Sequence, residues 1–132
     1  MPYSNTPQVN QLTSLLLTRG SCDVVVCPGS RNGIIVHNLH LLAENHPQRV
    51  RLHPVTDERS AGFVALGLAL ANGDAALTAV CVTSGSAVLA CLPAVAEAYF
   101  RHIPLLVISA DRPVWQIGQT DGQTLVQNGA FH

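Results

Sequence analysis

The sequence predicts an α/β domain built on an open, mostly parallel sheet flanked by helices, and three observations carry that expectation. Short apolar runs rich in β-branched residues, at 24–27, 77–82 and 105–109, read as strands buried on both faces. Stretches with helical apolar spacing separate them, and strands alternating with helices imply right-handed βαβ units. Each strand runs into a polar loop, and open parallel sheets place ligands outside the carboxyl ends of their strands.

The elements follow in order. Thr6 or Asn5 is placed to cap a first helix that begins with Pro7, runs through Val9, Leu12, Leu15 and Leu16, and stops near Gly20. Asp23 leads into the first strand, bounded by Pro28-Gly29. Ile34, Ile35, Leu39, Leu41 and Leu42 give a second helix that ends near Asn45-His46-Pro47. The second strand, 50–55, alternates and should be less buried, with His53 and Pro54 marking its end. A helix follows Glu58, carrying Ala61, Gly62, Ala65, Gly67, Ala69 and Ala71, small residues that let another backbone approach closely; Asn72-Gly73 closes it. After the third strand a helix is expected from about Ala87 to Phe100, where Pro93 should bend it or mark a later start. From Gly118 to His132 the chain is polar and glycine-rich, with no clear core element.

Composition excludes several classes. At 132 residues the chain is about one domain, long enough to bury a core. Seven Lys plus Arg against eight Asp plus Glu leave no basic stripe to neutralise phosphates, so nucleic acid is not expected as a partner. No run reaches the roughly 18 apolar residues of a membrane span and no signal peptide opens the chain, so no membrane insertion and a cytoplasmic location are expected. Cys22, Cys27, Cys81 and Cys91 lack C-x-x-C spacing and read as reduced, mostly buried thiols.

Four loops should line one edge of the sheet: PGSR at 28–31, TDERS at 56–60, TSGS at 83–86 and ADRP at 110–113. No G-x-G-x-x-G follows the first strand and no P-loop occurs. Ser30 lacks the flanking glycines of a nucleophile elbow. His37 and His40 share a helix face, where a metal could bridge them, but no third ligand is evident and a plain helix surface is the simpler reading. The N–H groups of 29–31 and 85–87 precede helices and could bind an anion or the edge of a polar heterocycle; they are equally ordinary connections. Arg31 and Arg112 each follow a buried strand and offer planar bidentate sites for a carboxylate; the alternative is a salt bridge to Asp57, Glu58 or Asp111. Glu58 alone would read as a helix-dipole carboxylate.

The order of these pieces is similar to that in the thiamine diphosphate enzymes. There a strand, an acidic residue, a small-residue helix, another strand and a T-S-G turn make the pyrimidine-binding domain; here they stand as TDERSAGFVALGLALANG and AVCVTSGSAVLACLPAVAEA. Together with PGSR, ADRP and a Gly-x-x-x-x-Gln run from Gly118 to Gln123, they most resemble the branch that serves menaquinone biosynthesis. The chain departs from that branch at Asn32-Gly33-Ile34-Ile35, where a small hydroxyl residue and a Pro-containing continuation are usual, and at Ser86, where Thr is commoner.

The resemblance implies a homodimeric transferase that decarboxylates 2-oxoglutarate and adds the remaining unit to isochorismate, with the site shared between subunits. Glu58 would be the catalytic acid on ring nitrogen N1′ of the aminopyrimidine. Thr83, Ser84, Gly85 and Ser86 would neighbour the cofactor, and Ser30, Arg31, Arg112 and Gln123 would hold substrate carboxylates and hydroxyls. The family's Gly-Asp-Gly diphosphate and metal site has no match here, since Asn72-Gly73-Asp74 has the wrong order. Residues 1–132 are therefore expected to be the pyrimidine-binding domain or part of it, inactive alone, with Mg2+ or Mn2+ held by a further domain. A sister enzyme of the acetohydroxyacid synthase type, or a non-catalytic flavodoxin-like binding module, is the alternative.

Overall fold

The computed structural model of the chain describes residues 4–132. Four strands, β1 (Ser21–Val26), β2 (Val50–Pro54), β3 (Ala76–Val82) and β4 (Leu106–Ser109), form one sheet in the order β2-β1-β3-β4 with every pairing parallel. Register sets Val24 between Leu52 and Ala79, and Val25 between His53 and Val80. A central strand paired on both sides and covered on both faces needs apolar side chains throughout. Cys22 and Val24 to Val26 accordingly lie almost fully out of solvent, each buried valine contributing about 1.5–3 kcal/mol.

Helices cover both faces. On one side α1 (Pro7–Thr18) and α2 (Gly33–Asn45) place Leu16 and Leu39 against Cys22, Val24, Val26, Ala79, Cys81 and Ile108. On the other, α3 (Glu58–Asn72), α4 (Ser86–Ala90) and α5 (Leu92–Phe100) close over Val25, Cys27, Val80 and Val82 with Ala61, Ala65, Ala87, Val88 and Cys91. All four cysteines are free and buried.

Several local expectations need correction. Thr6 precedes Pro7 as the N-cap residue, but its side chain makes no capping bond; its carbonyl accepts the N–H groups of Val9 and Asn10 instead. The helix expected from Ala87 to Phe100 is two helices that break at Cys91, because Pro93 has no N–H to continue the first and suits the opening turn of a second. The edge strand β2 is less buried, as its alternation required.

The small residues of α3 serve this fold directly. A side chain at Gly62 would bring its first carbon to 3.0 Å from the Ala94 methyl, so glycine here lets α3 and α5 approach closely. Phe63, Val64 and Leu70 on the outer side of the same helix are exposed.

At the amino-terminal edge of the sheet, Asp23 is buried and saturated. Arg51 donates from Nε to Oδ1 at 2.8 Å and from Nη2 to Oδ2 at 2.5 Å, His53 Nε2 lies 2.7 Å from Oδ1, and Asn72 Nδ2 donates to Oδ2 at 2.8 Å. The Arg51 hydrogen bond foremost, with His53 and Asn72 adding to it, holds this carboxyl well below the usual range against the opposing effect of burial. The cluster ties β1, β2 and the end of α3 together. It was not anticipated from sequence.

Candidate functional site

β1 is followed through α2 by β2 on one side of it, and β2 is followed through α3 by β3 on its other side. The switch point of this sheet therefore lies between the carboxyl ends of β1 and β3, where open parallel sheets form their ligand crevice. The loops at 28–31 and 83–86 stand on either side of it. They touch: a side chain at Gly29 would place its first carbon 2.6 Å from Thr83 Cβ, so only glycine passes there. Asn32, fully buried, pins the first loop by donating from Nδ2 to the Cys27 carbonyl at 2.9 Å and to the Cys81 sulfur at 3.7 Å.

Glu58 opens α3 and is half-buried. Its neighbour Asp57 performs the capping, accepting the Ser60 N–H at 2.8 Å and the Ser60 hydroxyl at 2.6 Å, which leaves Glu58 free of that duty. Among the described residues the Glu58 carboxylate makes no hydrogen bond or ion pair, although its backbone carbonyl lies 3.8 Å from the Cys91 sulfur. Burial first, and the Glu58 charge second, push the thiols of Cys27 and Cys91 up to about 12 and about 11. Both thiols therefore stay neutral at ordinary pH.

The segment beyond β4 closes the other side. It has no strand or long helix, only a 3-10 turn at Val114–Gln116, yet it lies over the 83–86 turn. Ser84 Oγ donates to the Gln123 carbonyl at 3.4 Å, and Arg112 Nη2 donates to the Gly122 carbonyl at 2.6 Å. Gln123 is exposed and has positive φ. The Gly85 N–H, which the sequence leaves open between a ligand site and an ordinary connection, donates to Gln127 Oε1 at 2.9 Å, and the α4 that follows has only five residues.

Thr83 Oγ1, Arg112 Nε, Gln116 Oε1, Thr124 Oγ1 and Asn32 Oδ1 are buried without a partner, all of them on or beside these loops. A sixth such atom, Asn38 Oδ1, lies apart from them within α2; buried polar atoms are ordinarily satisfied, so the five at these loops keep unused hydrogen-bonding capacity.

The structure brings Thr83, Ser84, Gly85, Arg112 and Gln123 together through these contacts. Ser30, Arg31 and Ser86 are exposed, with no side-chain bond among the described residues. Neither Arg31 nor Arg112 forms the salt bridge to Asp57, Glu58 or Asp111 that was the alternative reading; Asp111 accepts only the Arg112 backbone N–H. His40 pairs with Glu44 at 3.2 Å, and no group of three His, Cys, Asp or Glu among the described residues could hold a metal. Among those residues, no helix is long and apolar enough to cross a membrane. Sequence reasoning missed the roles of Asn32 and Gln127; the available signal was an amide directly after the 28–31 loop and another four residues beyond Gln123.

Three relatives are similar to most or nearly all of the chain, and each is described as a 2-succinyl-5-enolpyruvyl-6-hydroxy-3-cyclohexene-1-carboxylate synthase. That of Bacteroides thetaiotaomicron is 54% identical over 98% of this chain and 22% of its own length. That of Corynebacterium glutamicum is 53% identical over 83% and 19%, and that of Mycobacterium leprae 43% over 96% and 22%. The chain thus spans about a fifth of the length of these relatives. Residues 9–130 match the family described as thiamine pyrophosphate enzyme, N-terminal TPP binding domain. With its all-parallel sheet in the order β2-β1-β3-β4, the chain belongs to that family of N-terminal thiamine pyrophosphate-binding domains.

Proposed function

We propose that the chain is the pyrimidine-binding part of a MenD-type transferase, which decarboxylates 2-oxoglutarate and adds the succinyl unit to isochorismate in menaquinone biosynthesis. The observation that carries this reading is Glu58: a half-buried carboxylate at the head of α3, unpartnered among the described residues, in a chain of this family. The names of its relatives support the choice of reaction.

The residues present suit the cofactor. A carboxyl group at the head of α3 that makes no hydrogen bond or ion pair among the described residues keeps its oxygens for a proton shared with a heterocyclic nitrogen. When bound, thiamine diphosphate supplies the electron sink for loss of carbon dioxide and transfer of the remaining unit. Thr83 to Ser86 stand beside the acid's crevice, and the orphaned Thr83 hydroxyl offers a donor and an acceptor there. Arg112, oriented by its bond to the Gly122 carbonyl, keeps Nε for a substrate carboxylate; Arg31 and Ser30 on the opposite loop, with Gln123, complete the set. Mg2+ or Mn2+ and the diphosphate would be held by a further domain, from a second subunit of a cytoplasmic homodimer.

The test is turnover. The full-length polypeptide supplied with thiamine diphosphate and magnesium should consume 2-oxoglutarate and isochorismate together and release carbon dioxide, while residues 1–132 alone should not. Turnover by the 132-residue chain would remove the claim that the site needs another domain. A full-length protein that used other 2-oxo acids and ignored isochorismate would move the reading to a sister enzyme.

A further inference from the structure

The side-chain amide of Gln127 joins two loops of the candidate site. Its Nε2 donates to the Ala110 carbonyl at 2.8 Å, directly after β4, and its Oε1 accepts the Gly85 N–H at 2.9 Å in the turn after β3. Both bonds have good lengths, and one side chain uses its donor and its acceptor at once. The two loops carry two of the orphaned polar atoms, Thr83 Oγ1 and Arg112 Nε.

We propose that Gln127 is a positioning residue, which fixes the separation between the Thr83–Ser86 turn and Arg112 and thereby aims Arg112 at its substrate group; the inference rests on the functional reading above. Other contacts join the two loops less directly, the adjacent Gly122 and Gln123 carbonyls accepting from Arg112 and from Ser84. Ala110 N–H continues the ladder to the Val82 carbonyl at 3.3 Å, and Arg112 is tied to Gly122. Among the described residues only the Gln127 side chain bonds to both loops. Gly85 has positive φ, and a side chain there would meet the Gln123 carbonyl oxygen at 2.6 Å, so only glycine lets the turn lie this close to the segment that carries Gln127. Methionine matches the length of glutamine but offers no comparable bond. Glutamate retains an acceptor for Gly85 N–H but sets a carboxylate against the Ala110 carbonyl, so it should break one half of the bridge.

Two measurements on the full-length polypeptide test this. Amide hydrogen exchange at Gly85 should speed up about tenfold or more in Gln127→Met and stay near wild type in Gln127→Glu. In steady-state kinetics per folded enzyme, both variants should lose about ten- to a hundredfold in kcat/KM, with KM for the carboxylate substrates rising more than kcat falls, because the clamp holds Arg112 and not Glu58. A residue that merely supported the fold would lower the melting temperature and leave both constants unchanged. Unchanged Gly85 exchange in Gln127→Met would overturn the clamp, and unchanged kinetics in both variants would overturn its role in positioning. If the wild-type protein does not turn over these substrates, the functional reading fails by itself and the exchange measurement still decides the clamp.

Discussion

Asp23 and Glu58 lie at opposite edges of one sheet, linked by α3, which starts at Glu58 and ends at Asn72 beside Asp23. Asp23 is almost fully buried and receives Arg51, His53 and Asn72, so its lone pairs are occupied and its charge is balanced. Glu58 is half-buried and, among the described residues, receives nothing. The difference separates a carboxylate whose interactions are already made in the fold from one whose interactions remain to be made. A saturated acid contributes to stability and a poor proton relay; an unsaturated acid at a ligand crevice contributes little to stability and is available for chemistry.

Exchanging the roles of these residues by mutation should break the comparison if it is wrong. The largest effect is expected for Glu58→Gln in the full-length protein: turnover should fall about 10²–10⁴-fold while stability to urea stays within about 0.5 kcal/mol. Asp23→Ala should do the reverse. It should cost about 2–3 kcal/mol in urea unfolding, toward the lower end for a broken buried pair because Arg51 is 47% exposed and can rehydrate, with kcat per folded molecule unchanged.

The pH dependence follows from the same site. Asp23 titrates lower in the folded chain than when unfolded, so its stabilisation is complete above the unfolded value of about 3.9 and is lost as pH falls below it toward the folded value. Unfolding free energy of the wild type should therefore drop steeply below about pH 4, and Asp23→Asn should flatten that slope. Gly29→Ala should cost about 1–3 kcal/mol, because the added methyl meets Thr83 at 2.6 Å, and it should also impair turnover by moving the two loops apart. The smallest change is expected at Gly67, where a methyl would enter open space within α3: Gly67→Ala should raise stability by about 0.5–1 kcal/mol in thermal unfolding.

The fold was largely legible because its signals are local. Continuous runs such as 77–82 can bury both faces only in a covered parallel sheet, and the small residues at 61, 62, 65 and 69 announce a helix in close contact. Pro93 showed an interruption without saying that Cys91 would be the joint. Asp23 was not legible as a cluster, since its partners at 51, 53 and 72 meet it only through strand register and the return of α3. The loops were legible as motifs, and their order pointed to Glu58. What they touch was not: Gln127 comes from a polar segment without periodicity, and its partners at 85 and 110 are far away in sequence.

Exchange of the C2 proton of thiamine diphosphate bound to the full-length protein, followed by NMR after transfer to deuterated solvent, addresses Glu58 most directly because it precedes any substrate chemistry. Wild type should exchange this proton rapidly, and Glu58→Gln should retain cofactor binding and fold while exchanging it at least about a hundredfold more slowly. Exchange at the wild-type rate in Glu58→Gln would contradict the account and return Glu58 to the role of a surface charge at the start of a helix.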